Sequence, residues 1–280
     1  MALGRADEML DSLSSLPVLP PLADELVAMA ISSDGGFERV LAVVEQDPVL
    51  AAIVLRMVNS AAFALSAEVT ELSRAVVLLG AAHVRSLALA AAMSALSAAP
   101  DADERFAHSF STACTARLIA VAGRVTWEET AFAAGILHDI GELVVVALDA
   151  QPGEEGMPAC ARLAREREGL GTDHAELGAA LARRWSIPEV LCLPIEGHHA
   201  PIPHMTLPSQ PTGEALSAVV AAAECVLDEL DGTAHGDGQA AGEALLTLDL
   251  DDPDGIIARA NDVREAHFTA MGLVGAGERR

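Results

Sequence analysis

The amino-acid sequence predicts an all-α fold of two packed helical lobes, and three observations carry that prediction. Hydrophobic residues make up 51% of the 280-residue chain but aromatics only 3%, with no tyrosine, so the core must be assembled from Ala, Leu and Val, which favours closely packed helices. Apolar residues recur at helical spacing, as in Leu22, Leu26, Met29 and Ala30. Pro- and Gly-containing breaks divide the chain into segments of helix length. A chain of this length supports one large domain or two small ones.

The order of elements follows from those breaks. Residues 1–15 mix charge and Ser without a clear period and read as a leader. LPVLPP (Leu16 to Pro21) is an extended approach fixed by proline, and a helix follows until Ser32-Ser33-Asp34-Gly35-Gly36 stops it. A second short helix runs from Phe37 to about Gln46. Asp47-Pro48 restarts the chain as cap and first helical position, and Leu50, Ile53, Val54, Met57 and Val58 form its apolar stripe. Asn59 closes that helix. Leu72 to Leu96 gives two helices joined near Gly80, with His83 among apolar residues in a structural role. PDADE (Pro100 to Glu104) is a polar break between the lobes.

The second lobe begins with a helix over Arg105 to Val121 that carries His108. Thr126 opens the next, with Glu129 three residues later as a capping box. That helix ends in AFAAGILHDIGE (Ala131 to Glu142), which sets His138-Asp139 at the end of a small, apolar run. A buried carboxylate there needs a cation, a hydrogen-bonded imidazole or solvent. Beyond a loop at Gln151 to Pro158, Arg162, Arg165 and Arg167 alternate with Glu166 and Glu168 and read as a solvated face. Asp173 caps the next helix, with Glu176 three residues on and His174 in its first turn. Ser186-Ile187-Pro188 breaks the chain again, and a segment ends in Glu196-Gly197-His198-His199. Leu216 to Leu230 is an apolar helix with Glu224 inside an alanine run. Residues 231–242 read as a loop, and a last helix near Asp254 to Ala270 packs back. The domain boundaries expected from this pass are a leader at 1–15, a first lobe at 16–100, a second at 101–230, and a loop with C-terminal helix at 231–280.

Composition removes several function classes. The net charge is −24 and no lysine is present, so a Walker-type phosphate loop, a Schiff-base lysine and a kinase lysine are all excluded. So acidic a chain without a basic stripe does not bind nucleic acid directly. Cys114, Cys160, Cys192 and Cys225 form no CxxC pair and read as small hydrophobes in a reducing compartment. The chain has no signal-peptide pattern and no uninterrupted apolar run of about 18 residues. A cytoplasmic protein with no membrane association is expected.

Nine histidines in a chain without Tyr or Lys are out of proportion. Five of them, His108, His138, His174, His198 and His199, stand at helix starts or breaks. With Asp139 they make a set suited to a divalent transition metal, iron, manganese, nickel or zinc, provided the fold brings distant helices together.

The string ILHDIGEL (Ile136 to Leu143), preceded by the AHS triplet at His108, resembles the HD superfamily of metal-dependent phosphohydrolases. Six motifs in one continuous order resemble the HDOD signalling domain within it: LPVLPPLADELVAMA, QDPVLAAIVLRMVNSAAF, SRAVVLLGAAHVRSLAL, GILHDIGEL, HAELGAALARRWSIP and EGHH, from Leu16 to about His199. The resemblance implies an HD-like second lobe and metal ligation by His108, His138 and Asp139. It matches His174, His198 and His199 to the extra histidines of the related HD-GYP phosphodiesterases, which hold a multi-metal centre. Glu224 stands where an aspartate would supply the last ligand.

Two departures bear on activity. Glu142 replaces the lysine of active relatives, and on a helix continuing through Gly141 it would share a face with His138 and repel a phosphate. No GYP triplet follows the HD motif. The resulting expectation is a bacterial signal-transduction output or interaction module of HDOD type that binds metal with weak or no phosphohydrolase activity. The alternative is an active metal-dependent phosphohydrolase, a phosphodiesterase acting on cyclic nucleotides or dinucleotides. The partners expected are a signalling protein met in trans and a nucleotide ligand.

Overall fold

In the computed structural model of the chain, the residues described are 4–13, 37–46, 51, 54–55, 58–59, 69–80, 84, 102–148, 157, 159–232 and 240–271. Among them every regular element is a helix: α1 Arg5–Ser12, α2 Phe37–Gln46, α3 Leu72–Leu79, α4 Ala102–Ala122, α5 Glu128–Leu137, α6 Gly141–Ala147, α7 Ala159–Leu170, α8 His174–Arg184, α9 Glu189–Gly197, α10 Gly213–Asp231, α11 Ala241–Thr247 and α12 Pro253–Met271. The all-α expectation holds. The proline-fixed approach, the helix after it, the Asp47-Pro48 restart and His83 lie outside the described residues.

From the first lobe, α2 and α3 contribute Val40, Val43, Val44, Ala75 and Val76 to the same apolar core that α4, α5 and α10 build. Asn59 closes its helix as expected, because its amide pairs with the chain ten residues on. Nδ2 donates to Leu55 O (2.9 Å) and Val69 O (2.8 Å), and Oδ1 accepts from Val69 N (2.7 Å). Gly80 ends α3 at φ +83°, a left-handed region that only glycine enters without strain.

The second lobe is organised on α4, which packs against α5, α10 and α12. Its core is narrow in side-chain size, with Ala113, Ala116 and Ala120 of α4 and Ala131, Ala133 and Ala134 of α5 all buried in it. Close approach is taken to its limit at Gly135, where a Cβ would lie 2.6 Å from Ala113 Cα. At Gly141 it would lie 1.8 Å from the His174 carbonyl oxygen, so the start of α6 abuts the first turn of α8. These contacts draw the His138-Asp139 turn toward His108 on one side and His174 on the other.

Several local expectations are corrected. α4 starts at Ala102, inside the polar PDADE segment and not after it at Arg105. Thr126 does not cap α5. The N-cap is Trp127, without a side-chain bond, and Glu129 pairs with Arg117 at 3.1 Å. The expected leader contains α1, whose Leu10 is 1% exposed and packs with Val144, Val145, Leu177 and Leu181. Arg184 ties α1 down through Asp11 (2.8 Å) and Asp7 (3.5 Å). α11 begins at Ala241, just inside the end of the stretch read as loop, and its Ala241, Ala244 and Leu245 are buried. The run Glu128–Ala147 is long and apolar enough by composition to cross a bilayer, but 67% of it is buried and it is interrupted at His138 to Ile140, as a core element would be.

Candidate metal centre

Each candidate ligand sits at a position the helices dictate. His108 projects from the second turn of α4, and Thr112, one turn on, shares its face. His138 is the C-cap of α5 and Asp139 lies in the turn before α6. Asp173 caps α8 by accepting from Glu176 N at 3.0 Å, as the sequence indicates, which puts His174 at the first helical position. His198 is the C-cap of α9, His199 follows it, and Glu224 comes from α10.

All seven residues converge. Their ligand atoms fall into two groups, Asp139 with His174, His198 and His199, and His108 with His138 and Glu224, each group lying within 4.8 Å of itself. Asp139 joins them. Its Oδ1 is 3.4 Å from Nε2 of both His174 and His198, and its Oδ2 is 3.2 Å from His138 Nε2 and 3.6 Å from His108 Nε2. Glu224 Oε1 lies 3.4 Å from His108 Nε2 and 3.6 Å from His138 Nε2. His174 Nε2 faces His199 Nε2 at 3.0 Å. Ligands about 2.1 Å from one ion stand about 3.0 Å apart in an octahedral shell and about 3.4 Å apart in a tetrahedral one. The observed edges match such shells.

The outer nitrogens fix the inner ones. His138 Nδ1 lies 2.7 Å from the Gly135 carbonyl and His198 Nδ1 2.8 Å from the Ile195 carbonyl. A carbonyl only accepts, so each Nδ1 carries the proton and each ring turns its Nε2 inward. Glu166 does the same for His174, accepting from Nδ1 at 2.7 Å and from the backbone N–H at 2.8 Å. Thr112 Oγ1 donates to Glu224 Oε1 at 2.7 Å. The buried Nε2 atoms of His138 and His198 and the Oδ1 of Asp139 have no hydrogen-bond partner, an arrangement that costs free energy unless a cation fills it.

Charge points the same way. Burial alone would push the His108 pKa down, but Glu224 and Asp139 overcome it and bring it up to about 10. His138 and His174 are likewise raised against burial by Asp139 and Glu166 respectively. Burial and neighbouring imidazoles lower His198 and His199. Against burial, His138 holds Asp139, and His108 holds Glu224, well below the usual carboxylate range. The two carboxylates therefore demand positive charge at their shared point. Side-chain exposure of 39% at His108, against 0% at His138, His174 and His198, marks the side on which the cluster meets solvent.

Three groups around this cluster differ from what the sequence suggests. Glu166 is buried at 6% exposure rather than part of a solvated face. Arg162, from the same string, is half-buried and donates from Nη1 to Glu142 Oε1 at 2.7 Å. Arg105 Nη1 holds the other oxygen, Oε2. Glu142 does not sit on a helix continuous with His138, because residues 138–140 form a turn, and its charge is offset by two guanidinium groups. The expected repulsion of a phosphate loses its basis. Only the i, i+4 spacing of Arg162 to Glu166 and of Glu166 to Leu170 along α7 could have hinted that one face of that charged helix points inward.

Residues 16–201 match the model of the HDOD domain. A protein of Treponema pallidum described as uncharacterized is 28% identical over 239 residues, which is 81% of this chain but 45% of that protein, so the chain spans about half the length of this relative. An HDOD domain protein of unknown function from Geobacter sulfurreducens superposes with a TM-score of 0.72 at 24% identity over 95% of this chain and 97% of that one, a likeness of fold. A candidate phosphohydrolase from Shewanella amazonensis superposes with a TM-score of 0.70 at 27% identity, over 98% and 99%.

Proposed function

Because the chain belongs to the HDOD domain family, we propose that it is a metal-dependent phosphohydrolase with two divalent cations, acting on a phosphate ester of the cyclic nucleotide or dinucleotide class. The carrying observation is the division of Asp139 between two ligand groups, Oδ1 toward His174 and His198 and Oδ2 toward His138 and His108. His108, His138, Glu224 and Asp139 would hold one ion, and His174, His198, His199 and Asp139 the other. Bound there, divalent cations supply acidified water as nucleophile and positive charge for phosphoryl oxygens. The chain itself orients the ligands through Gly135, Ile195, Glu166 and Thr112, keeps His138, His174 and His198 away from water, and keeps Asp139 ionised. The candidate phosphohydrolase among its structural relatives is consistent with this reading.

Metal analysis of untagged protein should find about two equivalents per chain, and less than about a tenth of an equivalent would argue against any ligand role. With manganese or iron added, a panel of cyclic nucleotides and dinucleotides should be hydrolysed, and His138→Ala should abolish turnover.

A second reading, an output module that holds metal and meets a signalling protein in trans without turnover, is favoured by one observation. Glu142 already engages Arg105 and Arg162 beside the centre. Metal-loaded protein that hydrolyses nothing on the panel would support it.

A further inference from the structure

Three half-buried side chains meet at the edge of the metal cluster. Glu142 is 17% exposed, Arg105 20% and Arg162 24%. Each arginine takes a different oxygen of the one carboxylate, and they arrive from different helices, α4 and α7. The group is close to the centre. Glu142 N donates to the Asp139 carbonyl at 3.0 Å, and the Arg162 charge acts on both Asp139 and His174.

Two convergent guanidinium groups are suited to a phosphoryl group, which offers paired acceptor oxygens to planar N–H donors. A phosphodiester monoanion matches the Glu142 carboxylate in charge and in its two free oxygens, so it can take the place of Glu142 between the two arginines, whereas a phosphoryl dianion, as in inorganic phosphate, offsets both positive charges and leaves a third oxygen free. We propose that Arg105 and Arg162 form a phosphoryl-binding site at the rim of the metal centre, and that the Glu142 side chain occupies it as an internal competitor. The proposal rests on the phosphohydrolase reading and adds what holds the substrate and what restrains it. Glu142 then acts as a latch, since substrate must displace the carboxylate to reach both arginines, and apparent affinity falls by the fraction of chains in which the pair is free.

The test is calorimetric titration of the chelator-treated chain of 280 residues with inorganic phosphate, so that binding to metal plays no part. Glu142→Gln keeps the size of the side chain and removes its charge. It should tighten phosphate binding on the order of tenfold, and Glu142→Gln combined with Arg162→Ala should return affinity to the wild-type level or below. Unchanged affinity in Glu142→Gln overturns the proposal, as does a gain that survives loss of Arg162. Should Glu142→Gln not fold, the test is wild type against Arg162→Ala: weaker phosphate binding in the variant supports the site, and equal binding overturns it. An arm with adenosine monophosphate separates sources of the phosphoryl group. Affinity equal to that of phosphate assigns the site to the phosphoryl group alone, and tighter affinity assigns it to a nucleotide. Metal content of the same preparations is measured separately. Metal without Glu142-dependent phosphate binding removes the latch and leaves the centre, while the reverse removes the centre and leaves the arginine site.

Discussion

Replacing Asp139 by Asn is the perturbation that bears most directly on the centre, because it changes charge and leaves volume almost untouched. In the structure one carboxylate serves both ligand groups, with oxygens 3.4 Å from His174 and His198 Nε2 and 3.2 Å from His138 Nε2. An amide can offer one oxygen and one NH₂ group, so one group keeps a neutral ligand and the other receives a donor where a cation requires a lone pair. If removing the charge weakens each ion's coordination by about 2 kcal/mol, the scale of an interaction with a charged group, each ion should be held about thirtyfold less tightly. Both equivalents weaken together. Glu224→Gln is the contrasting variant, since of the candidate ligand histidines Glu224 pairs with His108 and His138, and it should release one equivalent and spare the other. Metal-to-chain ratios after gel filtration, with calorimetric titration of manganese or zinc into stripped protein, read both effects. An Asp139→Asn protein that keeps two equivalents at wild-type affinity refutes the bridging role, and a Glu224→Gln protein that loses both refutes the division into two groups.

Glu166→Gln should weaken metal binding about 10- to 100-fold, the usual cost of removing the partner that orients a ligating histidine, with the loss confined to one equivalent in the same titration. Gly141→Ala should destabilise the fold by more than the 1–3 kcal/mol typical of overpacking, because its Cβ would sit 1.8 Å from the His174 carbonyl oxygen. Gly169→Ala, on α7 with nothing within 4 Å of the new Cβ, should instead stabilise by about 0.5–1 kcal/mol; thermal melts of both check the sign. Leu10→Ala should cost about 2–5 kcal/mol, read in urea, because Leu10 is 1% exposed; a loss under about 0.5 kcal/mol would show that α1 is dispensable.

The candidate ligands that converge are legible in the sequence, and the groups that support them are not. His138, Asp139, His174, His198 and His199 stand out because ionisable residues interrupt apolar helix at its ends, where free backbone groups and sharp turns let side chains face inward. Glu166 and Arg162 were lost because they sit in AREREGL, where charged residues of both signs look solvated and only the third dimension turns one face toward the centre. The sequence around Glu142 shows only its own helix, and what offsets its charge comes from residues 37 positions earlier and 20 later. Short helices escaped for another reason. α1 has eight residues and α11 seven, about two turns, too few for an apolar period to repeat. The Thr126 capping box failed because a short polar residue three positions before Glu is a frequent pattern, whereas Glu129 is held by Arg117 on α4.

The two halves of the centre use one device twice. His138 ends α5 and His198 ends α9, and each ring turns back so that Nδ1 donates to a carbonyl three residues earlier, Gly135 or Ile195. Carbonyls in a helix's last turn lack an intrahelical donor, so the bond satisfies the helix and at the same time fixes the tautomer that aims Nε2 at the shared point. The helix end and the ligand are thus settled by a single interaction. The residue that follows each histidine, Asp139 or His199, is carried by the same turn and supplies the neighbouring contact. The LHD and GHH strings therefore work as equivalent corners, and the glycine contacts at 135 and 141 set how closely the LHD corner approaches α4 and α8. A site assembled from helix ends in this way depends on interhelix distance more than on any loop, which is why a chain so poor in large side chains can hold it.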